Sequence, residues 1–166
     1  GTGLVTLTGT KTLHEITVTS ESGNTRTYKL TIIKVKDTTT VNDIISKLSV
    51  KTNDTLMFNI SSGTLVSTLI QSINKQNSNA IVNIYESSGS ASSSSDLIKT
   101  NQKIKITVPS GESRTYTLIV TGDTSGDGKV TILDLLQLQK HLLGSSVLNS
   151  VQLKSAVCTP IETLVM

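Results

Sequence analysis

The chain has 166 residues, a formal net charge of +3, 16% charged residues and almost no aromatic content: no Trp, one Phe and three Tyr. Its Lys and Arg residues are spread rather than clustered, which with the missing aromatics argues against phosphate-driven or base-stacking nucleic-acid binding. A single cysteine, Cys158, leaves no internal disulfide, and no eighteen-residue apolar run is present to span a membrane.

Residues 1–36 read as strands at Leu4–Leu7, Glu15–Thr19 and Thr27–Lys34. Residues 37–121 read as a small α+β domain. Val41, Ile44, Ile45 and Leu48 fall at i, i+3, i+4 and i+7, the spacing of one helix face, and Leu65, Val66, Leu69, Ile70 and Ile73 repeat it. Strands are expected at Thr55–Ile60, Ala80–Tyr85, Lys103–Val108 and Tyr116–Val120, with Ser87–Ser95 a flexible, Ser-rich hairpin loop. Ser22-Gly-Asn-Thr-Arg-Thr-Tyr-Lys-Leu-Thr-Ile32 recurs as Ser110-Gly-Glu-Ser-Arg-Thr-Tyr-Thr-Leu-Ile-Val120, 88 residues on. Each copy reads as a turn followed by a strand with Tyr and Leu on one face.

The segment from Asp123 to Asp134 carries the chemistry. Oxygen-bearing residues stand at loop positions 1, 3, 5, 9 and 12 (Asp123, Ser125, Asp127, Thr131 and Asp134), with Lys129 at 7 to offer its carbonyl and Gly128 at 6. That spacing wraps a hard cation in oxygens, so calcium is the expected cofactor. Asp at position 12, in place of Glu, is a shorter arm, and Thr131-x-x-Asp134 is also a capping box that would start a helix there. The reading without metal is a Gly-Asp turn and a capped helix.

The helix expected over Ile132–Leu143 shows two apolar stripes, Leu135/Leu138/Leu142 and Ile132/Leu136/Leu143, the second flanked by Gln139 and Lys140. One stripe suffices to pack a helix on its own domain. Two imply an intermolecular partner, unless Val147–Ala156 and the preceding domain cover both.

Gly122-Asp-Thr-Ser-Gly-Asp-Gly-Lys-Val-Thr-Ile-Leu-Asp-Leu-Leu-Gln-Leu-Gln-Lys-His-Leu-Leu-Gly144 closely resembles the first repeat of a clostridial dockerin. Dockerins pair two such loop-helix repeats and bind cohesin domains, attaching extracellular polysaccharide-degrading enzymes to scaffolds or cell surfaces. The resemblance implies calcium ligands at Asp123, Ser125, Asp127, Lys129, Thr131 and Asp134. It implies cohesin-facing positions at Ile132, Leu133, Leu136, Gln139, Lys140 and Leu143. The family's second loop, expected after Ala156, is replaced by Val157-Cys-Thr-Pro-Ile-Glu-Thr-Leu-Val-Met166; a frameshift would account for this. The unpaired helix is a candidate for homodimerisation.

Residues 1–36 resemble the end of a cadherin-like β-sandwich domain, and 37–121 resemble, more loosely, a spacer domain that precedes dockerins. The expected organisation is therefore sandwich strands (1–36), an α+β spacer (37–121), half a dockerin with a short second helix (122–156) and an aberrant tail (157–166). An extracellular fragment is expected, with its signal peptide upstream of Gly1. No enzyme chemistry is expected. His14 and His141 read as solvated, and no Gly-x-Ser-x-Gly, phosphate-cradling loop or Cys/His metal spacing occurs.

Overall fold

A computed structural model describes residues 11–157, which excludes the expected Leu4–Leu7 strand and Cys158. The chain forms two compact units divided between Thr38 and Thr39. In the first, β1 (Lys11–Thr19) and β2 (Thr25–Ile33) pair antiparallel, from Lys11 opposite Ile33 to Thr19 opposite Thr25. The turn closes with Gly23 N–H donating to the Ser20 carbonyl at 2.9 Å, and Gly23 takes φ +81°, a left-handed conformation that glycine adopts without penalty.

The second unit runs α1 (Val41–Ile45), β3 (Lys51–Thr52), β4 (Leu56–Ile60), α2 (Val66–Gln76), β5 (Ile81–Tyr85), β6 (Lys103–Thr107), β7 (Ser113–Val120), α3 (Ile132–Leu142) and α4 (Ser150–Ala156). It is an α+β fold whose sheet has the order β3-β4-β7-β6-β5. β4 and β7 are parallel, and the other pairings are antiparallel. A register shift interrupts the β4–β7 pairing between Met57 and Ile60, where Asn59 takes φ +65°.

Helix spacing becomes core packing here. Val41, Ile44 and Ile45 of α1 and Val66, Leu69 and Ile73 of α2 are buried in one cluster. Met57, Ile104, Ile106, Tyr116, Leu118 and Val120 of the sheet join the same cluster. Each such aliphatic side chain contributes about 1.5–3 kcal/mol through burial. Thr40 caps α1: its hydroxyl accepts from Asp43 N–H, and the Asp43 carboxylate accepts from Thr40 N–H at 2.8 Å.

Leu65 precedes α2 instead of lying within it, and it is 39% exposed. Having no polar side chain there, α2 is capped from a distance. Val66 and Ser67 N–H donate to the carbonyls of Asp96 and Ser94 at 2.9 and 3.1 Å. The Ser-rich connection is therefore pinned rather than loose. Ser92 N–H also donates to the Ile84 carbonyl, and the Ser92 hydroxyl to Glu86. Gln102, almost fully buried, donates to both Glu86 and Ser92.

Candidate calcium loop and exposed helix

The loop follows β7 directly. Gly122 takes φ +88° and donates to the Ser155 carbonyl of α4 at 2.7 Å, so the loop's entrance is tied to the chain that follows it. Asp123 is fully buried. Its Oδ1 accepts from Gly126 N–H at 2.7 Å, Asp127 N–H at 3.0 Å and the Ser125 hydroxyl at 3.3 Å. Its Oδ2 accepts from Gly128 N–H at 3.1 Å and from Thr100 N–H at 2.9 Å. One carboxylate thus organises the first half of the loop and joins it to the domain below.

Gly128, at the sixth position, is required by its surroundings. Its φ is +84°, and a Cβ there would lie 2.6 Å from the Ile98 carbonyl oxygen and 2.8 Å from Leu97 Cβ. Its own carbonyl accepts from Gly63 N–H at 3.0 Å.

The second half of the loop is organised by Asp134. Its Oδ1 accepts from Ser125 N–H at 2.8 Å, and Oδ2 from Thr131 N–H at 2.7 Å and the Thr131 hydroxyl at 3.1 Å. Burial pushes the Asp134 carboxyl up, but the hydrogen bonds from Ser125 and Thr131 outweigh it and hold the group below its usual range. The capping box expected at Thr131-x-x-Asp134 is formed. The Thr124 hydroxyl donates to the Asp134 carbonyl, and Gln152 of α4 donates to the Thr124 carbonyl, both at 3.0 Å.

Asp123, Ser125, Thr131 and Asp134 are therefore brought together by one hydrogen-bond chain. Asp127 joins that chain only through its N–H; it and Lys129 sit exposed at the tip, where the Asp127 carboxylate accepts from Lys129 N–H at 2.8 Å. Among the described residues, no three acidic, His or Cys side chains stand close enough together to hold a metal. None of the three loop aspartates forms a salt bridge among the described residues. The donor set is all oxygen and fits a hard cation in kind; one Asp127 oxygen, Oδ1, is engaged by Lys129 N–H.

α3 ends in a Schellman motif, with Gly144 at φ +70° donating to the His141 carbonyl and Ser145 N–H to the Lys140 carbonyl. Its only buried residue is Asp134. Ile132 is 73%, Leu136 42% and Leu143 75% exposed, and Leu133, Gln139 and Lys140 are exposed beside them. On the other stripe Leu135 and Leu142 are exposed and Leu138 half-buried. Cover of both stripes by residues 147–156 and the preceding domain is thus not found. α4 packs against β7 instead. His141, expected to be solvated, is half-buried, and its Nδ1 accepts from Leu148 N–H at 3.2 Å, fastening the turn after α3.

Sequence reasoning did not find Thr100, Gly63 or Gln152. They serve the loop through backbone groups or from distant positions, and no local spacing marks them. No helix among the described residues is long and apolar enough to cross a membrane. Comparison with protein-family models, curated proteins and solved structures returns no match to this chain.

Proposed function

We propose that this chain carries a non-catalytic, calcium-binding module of the dockerin type, which tethers an extracellular polysaccharide-degrading or adhesive protein to a cohesin domain. The observation that carries the reading is the uncovered Ile132/Leu136/Leu143 stripe, flanked by exposed Gln139 and Lys140. A helix rooted in a folded domain, yet burying only its capping aspartate, has its apolar surface free for a partner. Asp123, Ser125, Asp127, Thr131 and Asp134, with the Lys129 carbonyl, would hold the calcium. The ion would neutralise carboxylates that have no cationic side-chain partner among the described residues. Any glycoside hydrolase activity would belong to other domains of a longer protein.

A second reading rests on the bond between Asp123 and Thr100: calcium rigidifies the end of the α+β domain and recruits nothing. Calorimetric calcium titration, with Asp123→Ala as control, followed by capture on immobilised cohesins separates the two. Saturable binding lost in the variant, with calcium-dependent capture, supports the tether. Binding without capture, but with a raised melting temperature, supports the structural reading. Absence of calcium binding sinks both.

A further inference from the structure

The two hairpins β1–β2 and β6–β7 share one register and one turn. Glu15 faces Lys29, Ile16 faces Tyr28, Thr17 faces Thr27, Val18 faces Arg26 and Thr19 faces Thr25. Moved 88 residues on, every one of these pairs recurs, from Lys103 opposite Thr117 to Thr107 opposite Ser113. The turns agree as well. Gly23 and Gly111 take φ +81° and +96°, each donating at 2.9 Å to the carbonyl three residues back, Ser20 and Val108.

The faces agree residue by residue. Ile104, Ile106, Tyr116, Leu118 and Val120 are at most 3% exposed in the core with α1 and α2. The matching positions of the first hairpin hold Ile16, Val18, Tyr28, Leu30 and Ile32. Three of the five are identical, and the methylene lost at Val18 is regained at Ile32. Such a volume-conserving exchange is the kind a packed core tolerates. Yet Ile16, Val18, Tyr28 and Leu30 are between 45 and 53% exposed. Among the apolar positions buried in the second hairpin, two differ in kind: Ser20 stands for Val108, and Thr31 for Ile119. Ile119 lies on the opposite face of β7, the strand against which α4 packs.

We propose that β1–β2 is the closing hairpin of a second unit of this α+β fold. Its Ile16/Val18/Tyr28/Leu30 face is an interaction surface for a pair of amphipathic helices with the apolar spacing of α1 and α2. The surface is shaped for that layer because an equivalent face, at equivalent register, already carries one. The expectation of a β-sandwich would instead cover it with a second sheet.

The test is a strand graft in the full-length chain. Lys103–Thr107 is replaced by the residues of Glu15–Thr19, Ser113–Leu118 by those of Thr25–Leu30, and Val120 by Ile. The Val108–Glu112 turn and Ile119 are kept. The grafted chain should melt cooperatively within about 10 °C of the parent and retain a dispersed amide spectrum. A control graft taken one residue earlier in each strand turns the apolar side chains outward and should not fold. Loss of the cooperative transition in the in-register graft, or equal tolerance of both grafts, overturns the proposal.

Discussion

The backbone N–H of Thr100 donates to Oδ2 of Asp123 at 2.9 Å, across 23 residues of sequence and in a fully buried setting. The first residue of the loop is thereby a structural residue of the domain as well as a candidate ligand. Asp123→Ala removes the acceptor for Thr100, Gly126, Asp127 and Gly128 N–H together. Leaving buried donors unpaired costs about 1–3 kcal/mol each when water cannot replace the partner. With chelator present, Asp123→Ala should lower unfolding stability by about 2–4 kcal/mol. Asp127→Ala, at the exposed tip, should change it by less than about 0.5 kcal/mol. Urea unfolding of both variants without calcium checks this; equal, small effects would show that Asp123 has no structural role.

Gly128 and Gly126 give a second contrast. Both have positive φ, but a Cβ at Gly126 would meet the Thr100 carbonyl oxygen at 3.4 Å, whereas one at Gly128 would be driven into Ile98 and Leu97. Gly126→Ala should cost about 1 kcal/mol for backbone strain alone. Gly128→Ala adds a backbone collision, which lifts the loop from residues 97–98, and should cost about 2–4 kcal/mol. Thermal melts of the two variants would rank them; reversed order would contradict the seating of the loop.

The loop and the helices were legible because their information is local. Positions 1 to 12 of the loop encode a fold-back of fixed length, and Val41/Ile44/Ile45 and Val66/Leu69/Ile73 encode helix faces that the core then uses. The two-residue β3 is too short to show alternation. The parallel pairing of β4 with β7 could not be read, since alternation gives a strand's faces but not its neighbour. Leu65 fits the helix pattern by its apolarity. It is the residue before α2, whose free N–H groups are met by the carbonyls of Ser94 and Asp96. The Ser-rich stretch read as loose because composition reports side chains, while what holds it is backbone hydrogen bonding.

Glu86 makes a pH prediction. Burial pushes its carboxyl up, but donors from Ser92 and Gln102 and the nearby Lys99 ammonium, with Nζ to Oε2 at 3.4 Å, bring it below the usual range. A carboxylate depressed in the folded state contributes stability that is complete above its unfolded pKa. That stability is lost as pH falls through the lower folded value. The melting temperature should therefore fall as pH drops below about 4.5. Glu86→Gln should cost about 1 kcal/mol at neutral pH and flatten that fall. A parallel pH profile in the variant would remove Glu86 from the acid response.

Leu136 and Leu143 separate partner binding from folding. Leu136 on α3 and Leu143 at its C-cap are both exposed, so charge there has little native packing to disrupt. Leu136→Asp and Leu143→Asp should each leave the melting temperature within about 3 °C of the parent, as surface substitutions do. On the proposed tether reading, each should weaken capture by a cohesin at least about tenfold, because a charge set into an apolar contact is left desolvated and unpaired. Leu138→Asp serves as the comparison: its side chain is half-buried, so its cost should appear in stability. Should Leu136→Asp unfold the chain instead, the stripe is an internal packing face and the tether reading fails. Unchanged capture in both exposed variants would send the search for a partner to the Leu135/Leu142 side of the same helix.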